Sequence, residues 1–345
     1  MTRPKLSLVI PVYNEQETLP ELERRLRTFF AALPGIGDDW EVVFVEDGSK
    51  DASRELLNDM ARRESRYRVL GFSRNFGHQI AITAGVDRAE GDAVVVMDAD
   101  LQDPPELVGE MLERNRDGFD VVYAVRNKRK GETWFKLLTA ALFYRILRAV
   151  TGVQIPIDAG DFRLMSRAVV LTLRALRERH RFVRGMVAWV GFRQTAVYYE
   201  REARFAGETK YPLRKMLQFA VDGITSFSIL PLRAATWLGV IAGLGAVGIG
   251  IWAVVAKLFG SGTVPGWTTI MFAVALGSSA QLLMTGVLGE YVGRIYEEIK
   301  RRPLYIVERE VNFELPPAGG VGGERAGDVG TVGTVGQVGP DAPPV

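Results

Sequence analysis

The apolar run Val94-Val95-Val96-Met97 stops abruptly at Asp98-Ala99-Asp100-Leu101-Gln102-Asp103-Pro104-Pro105, and that junction constrains the chain more than any other feature. A continuous run rich in β-branched residues predicts a strand buried on both faces, as in a parallel sheet. Strand residues alternate faces, so Asp98 and Asp100 are expected to point the same way at the strand's carboxyl end. In open α/β sheets that end is where ligands bind. Two carboxylates with the amide oxygen of Gln102 two residues on make an all-oxygen donor set. Such a set suits Mg²⁺ or Mn²⁺, ions that keep several waters and share their shell with substrate phosphates.

The same plan recurs along the first third of the chain. Leu6-Ser7-Leu8-Val9-Ile10-Pro11-Val12-Tyr13-Asn14-Glu15 reads as strand, loop and helix start. Glu41-Val42-Val43-Phe44-Val45-Glu46-Asp47-Gly48-Ser49 repeats it, with helical spacing over 53–61. Arg68-Val69-Leu70-Gly71-Phe72 runs into Ser73-Arg74-Asn75-Phe76-Gly77-His78 and a small-residue helix over 79–86; residues 120–125 form a fifth strand pattern. Strands alternating with helices predict a mostly parallel sheet with right-handed crossovers. Tyr13, Glu15, Asp47, Gly77, Asp98 and Asp100 should then meet at one rim. No Gly-x-Gly-x-x-Gly fingerprint follows the first strand and no Gly-Lys-Ser/Thr loop occurs. A nucleotide here would be held by metal and basic side chains.

Pro11-Val12-Tyr13-Asn14-Glu15, Glu46-Asp47-Gly48-Ser49 and Asp98 to Pro105, in that order, resemble the signature of family-2 glycosyltransferases with the GT-A fold. Within them the chain is similar to polyprenyl-phosphate glycosyltransferases, over roughly residues 6–302. The resemblance implies that Pro11, Tyr13, Glu15 and Asp47 hold the nucleoside. It implies that Gly77, Asp98, Ala99 and Asp100 belong to the nucleotide-sugar site, with Asp100, Gln102 and Asp98 toward the metal. Glu46 departs from the Asp often found there. The Gln-x-x-Arg-Trp motif of processive synthases is absent; Val183-Arg184-Gly185-Met186-Val187-Ala188-Trp189 stands in its place, which predicts one sugar per cycle. Residues 155–165 read by themselves as a Gly-containing turn held by Asp side chains. By resemblance they are the acceptor-side motif, with Asp161 as catalytic candidate and Asp158 orienting the loop. Inversion at the anomeric carbon is likewise implied by resemblance, as is UDP-glucose as favoured donor. Mannosyl or amino-sugar transfer to the same lipid, transfer to a protein or saccharide hydroxyl, and a non-catalytic membrane scaffold with a degenerate transferase domain are the alternatives.

The basic loop Arg126-Asn127-Lys128-Arg129-Lys130 follows the fifth strand. Arg126, Arg129 and Lys130 are candidates for the acceptor phosphate, with the donor diphosphate as the alternative, because guanidinium and ammonium contacts to phosphate are charge-assisted. Residues 199–212 resemble the family's acceptor loop, which adds Arg201 and Lys210 to the acceptor-phosphate candidates. Amphipathic patterns over 134–150 and 213–227 suit a membrane surface. His180 reads as a surface residue in a basic loop, and two histidines give little support to a Ser-His-Asp triad. His78 has two readings, an approach to the nucleotide or packing at a helix start.

The chain of 345 residues carries a net charge of +2 and no cysteine, which excludes disulfides and thiolate metal sites and gives nucleic acid no support as a partner. Those averages hide a split. Residues 234–256 carry no charge and span about 34 Å as a helix, enough for a hydrocarbon core of about 30 Å. Residues 267–292 form a second candidate, and glycines at 239, 243, 245, 248, 250 and 277 are expected to let the two approach. Arg233 precedes the pair and Arg294, Lys300, Arg301 and Arg302 follow it, so both ends are expected in the cytoplasm. No leader pattern precedes the first strand, which points the same way. The expected organisation is a GT-A domain over 1–232, two membrane helices within 233–293, a cytoplasmic segment over 294–315 and a disordered tail over 316–345. A polyprenyl phosphate, a nucleotide sugar, the membrane and further copies of the chain are the expected partners.

Overall fold

The computed structural model describes residues 4–126, 159–199, 230–259 and 266–313. Strands β1 (Leu6–Val12), β2 (Trp40–Glu46), β3 (Tyr67–Phe72) and β4 (Ala93–Val96) pair in parallel in the order β4-β1-β2-β3. Side-chain alternation splits their residues between two cores. Leu6, Leu8, Ile10 and Val12 of β1, with Val42 and Phe44 of β2, face helices α1 (Leu19–Ala32), α2 (Ser53–Arg63) and α4 (Val108–Arg116). Val9, Val43 and Val45 face α3 (His78–Arg88), α5 (Arg167–Ala175) and α6 (Val183–Trp189). The result is an α/β/α sandwich whose central strands are apolar on both faces, as the continuous Val/Ile/Leu runs require. The small residues of α3 serve close packing: a Cβ on Gly85 would overlap Val9 Cγ1 and lie 3.1 Å from Val45 Cγ2.

Beyond β4 the sheet departs from the simple parallel expectation. Most of the stretch 155–165 read from sequence as a turn falls in strand β6 (Ala159–Ser166), antiparallel to both β4 and β5 (Val121–Arg126). The strand β7 (Gln194–Tyr199) then lies parallel to β5. Leu164 and Phe162 enter one core and Met165 the other, while Asp161 and Arg163 sit buried on the strand between them. Two buried charges hid the strand's alternation. The eight-stranded order is β7-β5-β6-β4-β1-β2-β3-β8, a mixed sheet.

Strand β8 (Val307–Val311) comes after two long helices, α7 (Leu230–Leu258) and α8 (Trp267–Ile299), which pack on each other. It adds antiparallel to β3 at the sheet edge. Tyr305 stacks on Phe72 with centroids 5.2 Å apart, and Asn312 Nδ2 donates to Ala61 O (2.7 Å) and Tyr67 O (2.8 Å). The chain therefore leaves the sheet domain through α7 and returns to it through α8. Among the described residues one helical window, Ala235–Trp252, is long and apolar enough to cross a membrane. Among the described residues, a Cβ on Gly239 would meet Met284 of α8, and Cβ atoms on Gly243, Gly245, Gly248, Gly250 or Gly277 would meet nothing within 4 Å. The patterns over 134–150, 213–227 and 316–345 lie outside the described residues.

Candidate active site

The carboxyl ends of β1, β2 and β4 open on one rim. Pro11 is buried in β1, while Tyr13 just beyond it is exposed. The loop after β1 interlocks with the one after β2. Asn14, at φ 56°, donates its N–H to Ser49 Oγ (3.1 Å) and accepts from Lys50 N (2.8 Å); Glu15 N donates to Ser53 Oγ (2.8 Å). Glu46 is fully buried and accepts from Arg54 Nε at 3.0 Å and from Ser49 N. The acid that replaces the family's Asp thus ties the loop to α2.

Asp47 is 2% exposed, and both its oxygens accept from the loop after β3: from Phe76 N (2.6 Å), Gly77 N (3.0 Å) and Asn75 Nδ2 (3.0 Å). Burial pushes its pKa up, against the pull of the Phe76 and Gly77 N–H groups, and the nearby Glu46 charge adds to the rise. In this conformation Asp47 shapes the 75–77 loop rather than presenting a free carboxylate. Gly48 is required where these loops meet: its φ is +68° and a Cβ would sit 2.5 Å from Arg74 C.

Asp98 and Asp100 lie past the end of β4, which stops at Val96. Strand alternation does not govern them. A turn does, with Leu101 at φ 62°. Asp100 Oδ1 accepts from Gln102 N (3.1 Å), and Asp100 and Gln102 are both buried. Ala99, between the two acids, is also buried. Asp103 accepts from Tyr199 Oη at 2.8 Å and from Asp98 N at 3.4 Å, so the loop is pinned to β7. Asp98 Oδ1 is buried without a hydrogen bond, 3.5 Å from His78 Nε2. Burial raises the Asp98 pKa, His78 opposes that rise, and the Asp161 and Asp100 charges reinforce it.

Asp161 is the centre of the site. Its side chain is 4% exposed and lies among three cationic groups on three elements. Arg184 of α6 donates in a fork, Nε to Oδ1 and Nη2 to Oδ2, both at 2.8 Å. His78 Nε2 of α3 is 3.3 Å from Oδ2, and Arg163 Nη2 of β6 is 3.3 Å from Oδ1. Burial alone would raise the Asp161 pKa, but the hydrogen bond and charge of Arg184, with His78 and Arg163, hold it well below the carboxylate range. Burial likewise opposes the charge on His78, yet Asp161 and Asp98 push its pKa up to about 9. A carboxylate so held favours its anionic form, which makes it a poor proton acceptor.

The site therefore joins Asp98, Asp161 and His78, with Asp100 and Gln102 on the loop beside them. Of the expected rim residues, Tyr13, Glu15, Asp47 and Gly77 stand on the neighbouring loops, and Pro11 lies within β1. Arg126 closes β5; Asp158, Arg129, Lys130, Arg201 and Lys210 lie outside the described residues. Sequence reasoning assigned no role to Arg163 or Arg184 and left His78 open. Arg184 stood in plain view, in the segment occupying the place of the absent Gln-x-x-Arg-Trp motif. His180, read as a surface residue, lies 2.9 Å from Glu297 of α8.

Oxygen-only donors at the turn, one buried and lacking a hydrogen bond, fit a hard divalent cation. Among the described residues no three His, Cys, Asp or Glu side chains are arranged to hold a metal ion by themselves. An ion here would complete its shell from water and a ligand's phosphates.

Residues 7–174 match the family model for glycosyl transferase family 2. The chain is 52% identical over 309 residues to the uncharacterized glycosyltransferase YkcC of Bacillus subtilis (strain 168), covering 89% of this chain and 94% of the relative. It is 39% identical to the SfII prophage-derived bactoprenol glucosyl transferase of Shigella flexneri, covering 88% and 98%. Among solved structures, the mannosyltransferase PcManGT from Pyrobaculum calidifontis, in complex with GDP-Man and Mn²⁺, aligns at a TM-score of 0.43 with 15% identity over 86% of this chain and 88% of that one, too low to carry an argument. The rim built by β1, β2 and β4, its acidic turn and the extent of these sequence matches lead to one conclusion: the chain belongs to glycosyl transferase family 2 and is a glycosyltransferase.

Proposed function

We propose that the protein transfers one sugar from a nucleotide diphosphate sugar, with UDP-glucose the favoured donor, to the phosphate of a polyprenyl carrier such as undecaprenyl phosphate, with inversion. The observation that carries this reading is the state of Asp161. A hydroxyl acceptor needs a base to remove its proton, whereas a phosphate is already anionic at neutral pH. A carboxylate forked by Arg184 and flanked by His78 and Arg163 suits the second case. Relatives named bactoprenol glucosyl transferase support the same acceptor class.

In this reading Asp98, Asp100 and Gln102 would hold Mg²⁺ or Mn²⁺, which when bound stabilises the charge of the departing diphosphate. Pro11, Tyr13, Glu15 and the Asp47-ordered loop at Gly77 frame the nucleoside. Asp161 orients the acceptor or the sugar hydroxyls. Arg126, with Arg129, Lys130, Arg201 and Lys210, draws the lipid phosphate toward the rim.

We place the sheet domain, over 1–232, on the cytoplasmic face and α7 and α8 in the membrane, crossing near 234–256 and 267–292. The return of the chain as β8 supports a hairpin: a strand paired with β3 must share the compartment of β3, so the two helices cross an even number of times. The Lys/Arg bias around the pair sets the orientation. Purified full-length protein should form labelled polyprenyl-phosphate-sugar from UDP-[¹⁴C]glucose and undecaprenyl phosphate with a divalent cation present. GDP-mannose and UDP-amino sugars in parallel test the donor. Transfer to a saccharide or protein hydroxyl without lipid would overturn the acceptor assignment.

A further inference from the structure

The segment 177–184 links the far end of α8 to Asp161. At one end Arg179 N donates to Glu298 Oε1 (2.6 Å), and His180 Nε2 lies 2.9 Å from Glu297 Oε2. Between, Arg181 Nη1 donates to Leu176 O at 2.5 Å. At the other end Val183 N donates to Gln79 Oε1 (3.1 Å), the residue after His78. Arg184 follows, seated on a helix whose Val183, Gly185, Met186 and Val187 are buried. Its guanidinium is therefore delivered from a fixed frame, and its fork on Asp161 matches carboxylate geometry in a way a single ammonium cannot.

We infer that Arg184 is a positioning residue for the transfer reaction, holding the Asp161 carboxylate in one orientation at the acceptor side of the site. The inference rests on the reading of Asp161 above. Arg163 and His78 touch the same carboxylate, but each lies 3.3 Å from one oxygen; among the described residues Arg184 alone engages both oxygens, at 2.8 Å. Released from that fork, Asp161 keeps its charge partners and loses its fixed orientation. Rate should suffer more than binding, because misplacement of a group near the reacting atoms slows chemistry without removing substrate contacts.

The test is a cycle of Asp161→Asn, Arg184→Gln, Arg184→Lys and the double variant Asp161→Asn with Arg184→Gln. Each is assayed with UDP-glucose and undecaprenyl phosphate in detergent micelles, with UDP affinity and Tm measured alongside. Arg184→Gln should lower kcat by about 10²-fold and leave both KM values and UDP affinity within about threefold. Arg184→Lys should recover part of the loss. The double variant should be no slower than Asp161→Asn, since two residues acting as a unit do not add. Additive losses, or a loss carried by the KM for undecaprenyl phosphate, would overturn the proposal in favour of direct substrate contact. Activity that returns in the double variant along with Tm would reduce Arg184 to a stability role. Asp161→Asn at full kcat would instead remove the earlier reading of Asp161.

Discussion

The sheet domain and the helix pair use the same apolar residue types in opposite ways. In the sheet, Leu8, Phe44 and Leu164 are wholly buried, and charge concentrates at one rim. On α7 and α8, Leu244 is 69% exposed, Trp252 66% and Leu282 73%. Glycine tells the same story. Gly85 of α3 is small because a sheet presses on it, whereas Gly248 and Gly250 of α7 have open space around them. One region is folded against water and hides its apolar surface from it. The other displays apolar surface, which the membrane placement proposed above would cover. The reaction we propose needs both, since a water-soluble nucleotide sugar must meet a phosphate carried on a lipid.

Matched truncations test that contrast most severely. Phe44→Ala should destabilise the sheet domain by about 3–5 kcal/mol through lost burial and a residual cavity. Leu244→Ala, a comparable deletion on α7, should change stability in detergent by less than about 0.5 kcal/mol. Urea unfolding followed by circular dichroism measures both. An equal loss at Leu244 would mean that α7 is packed against something in the native protein.

A charge in place of bulk comes next. Lys at the middle of a membrane helix is disfavoured by about 2.5–3.5 kcal/mol. Leu244→Lys, at the centre of the Ala235–Trp252 window, should therefore shift the protein out of the membrane fraction while UDP affinity is retained. A variant still fully resistant to carbonate extraction would break the assignment of α7 to lipid.

At the rim the effects are catalytic. Asp100→Asn removes one anionic donor with little change of shape and should lower kcat/KM by about 10²-fold or more, with Tm unchanged. Full activity in that variant, or in excess chelator, would sink the divalent cation.

The smallest effect concerns acid stability. Because the folded-state pKa of Asp161 is depressed, its contribution to stability is present above its unfolded value of about 3.9 and is lost as pH falls through the folded value. Asp161→Asn should accordingly lose stability at pH 7 and converge with the parent as the pH drops below 4. Parallel stability-versus-pH curves for the two proteins would show that the Arg184–Asp161 pair contributes nothing to folding.

The central strands were readable from the chain because each is apolar on both faces, a pattern local to the residues that carry it. The acidic cluster after β4, though not the turn that sets its geometry, and the two long apolar helices were readable for the same reason: motif order and hydropathy are properties of contiguous sequence. The positions of β6 and β8 were not. The residues of β6 include Asp161 and Arg163, whose burial makes sense only once Arg184, His78 and Tyr123 supply partners from elsewhere. The polar stretch Val307-Glu308-Arg309-Glu310-Val311 becomes a strand only because the edge of β3 is there to receive it. Likewise sequence marked Asp161 but not what surrounds it. Its partners come from α3, β6 and α6, and charges distant along the chain become one electrostatic unit only when the sheet and its helices bring them within hydrogen-bonding distance.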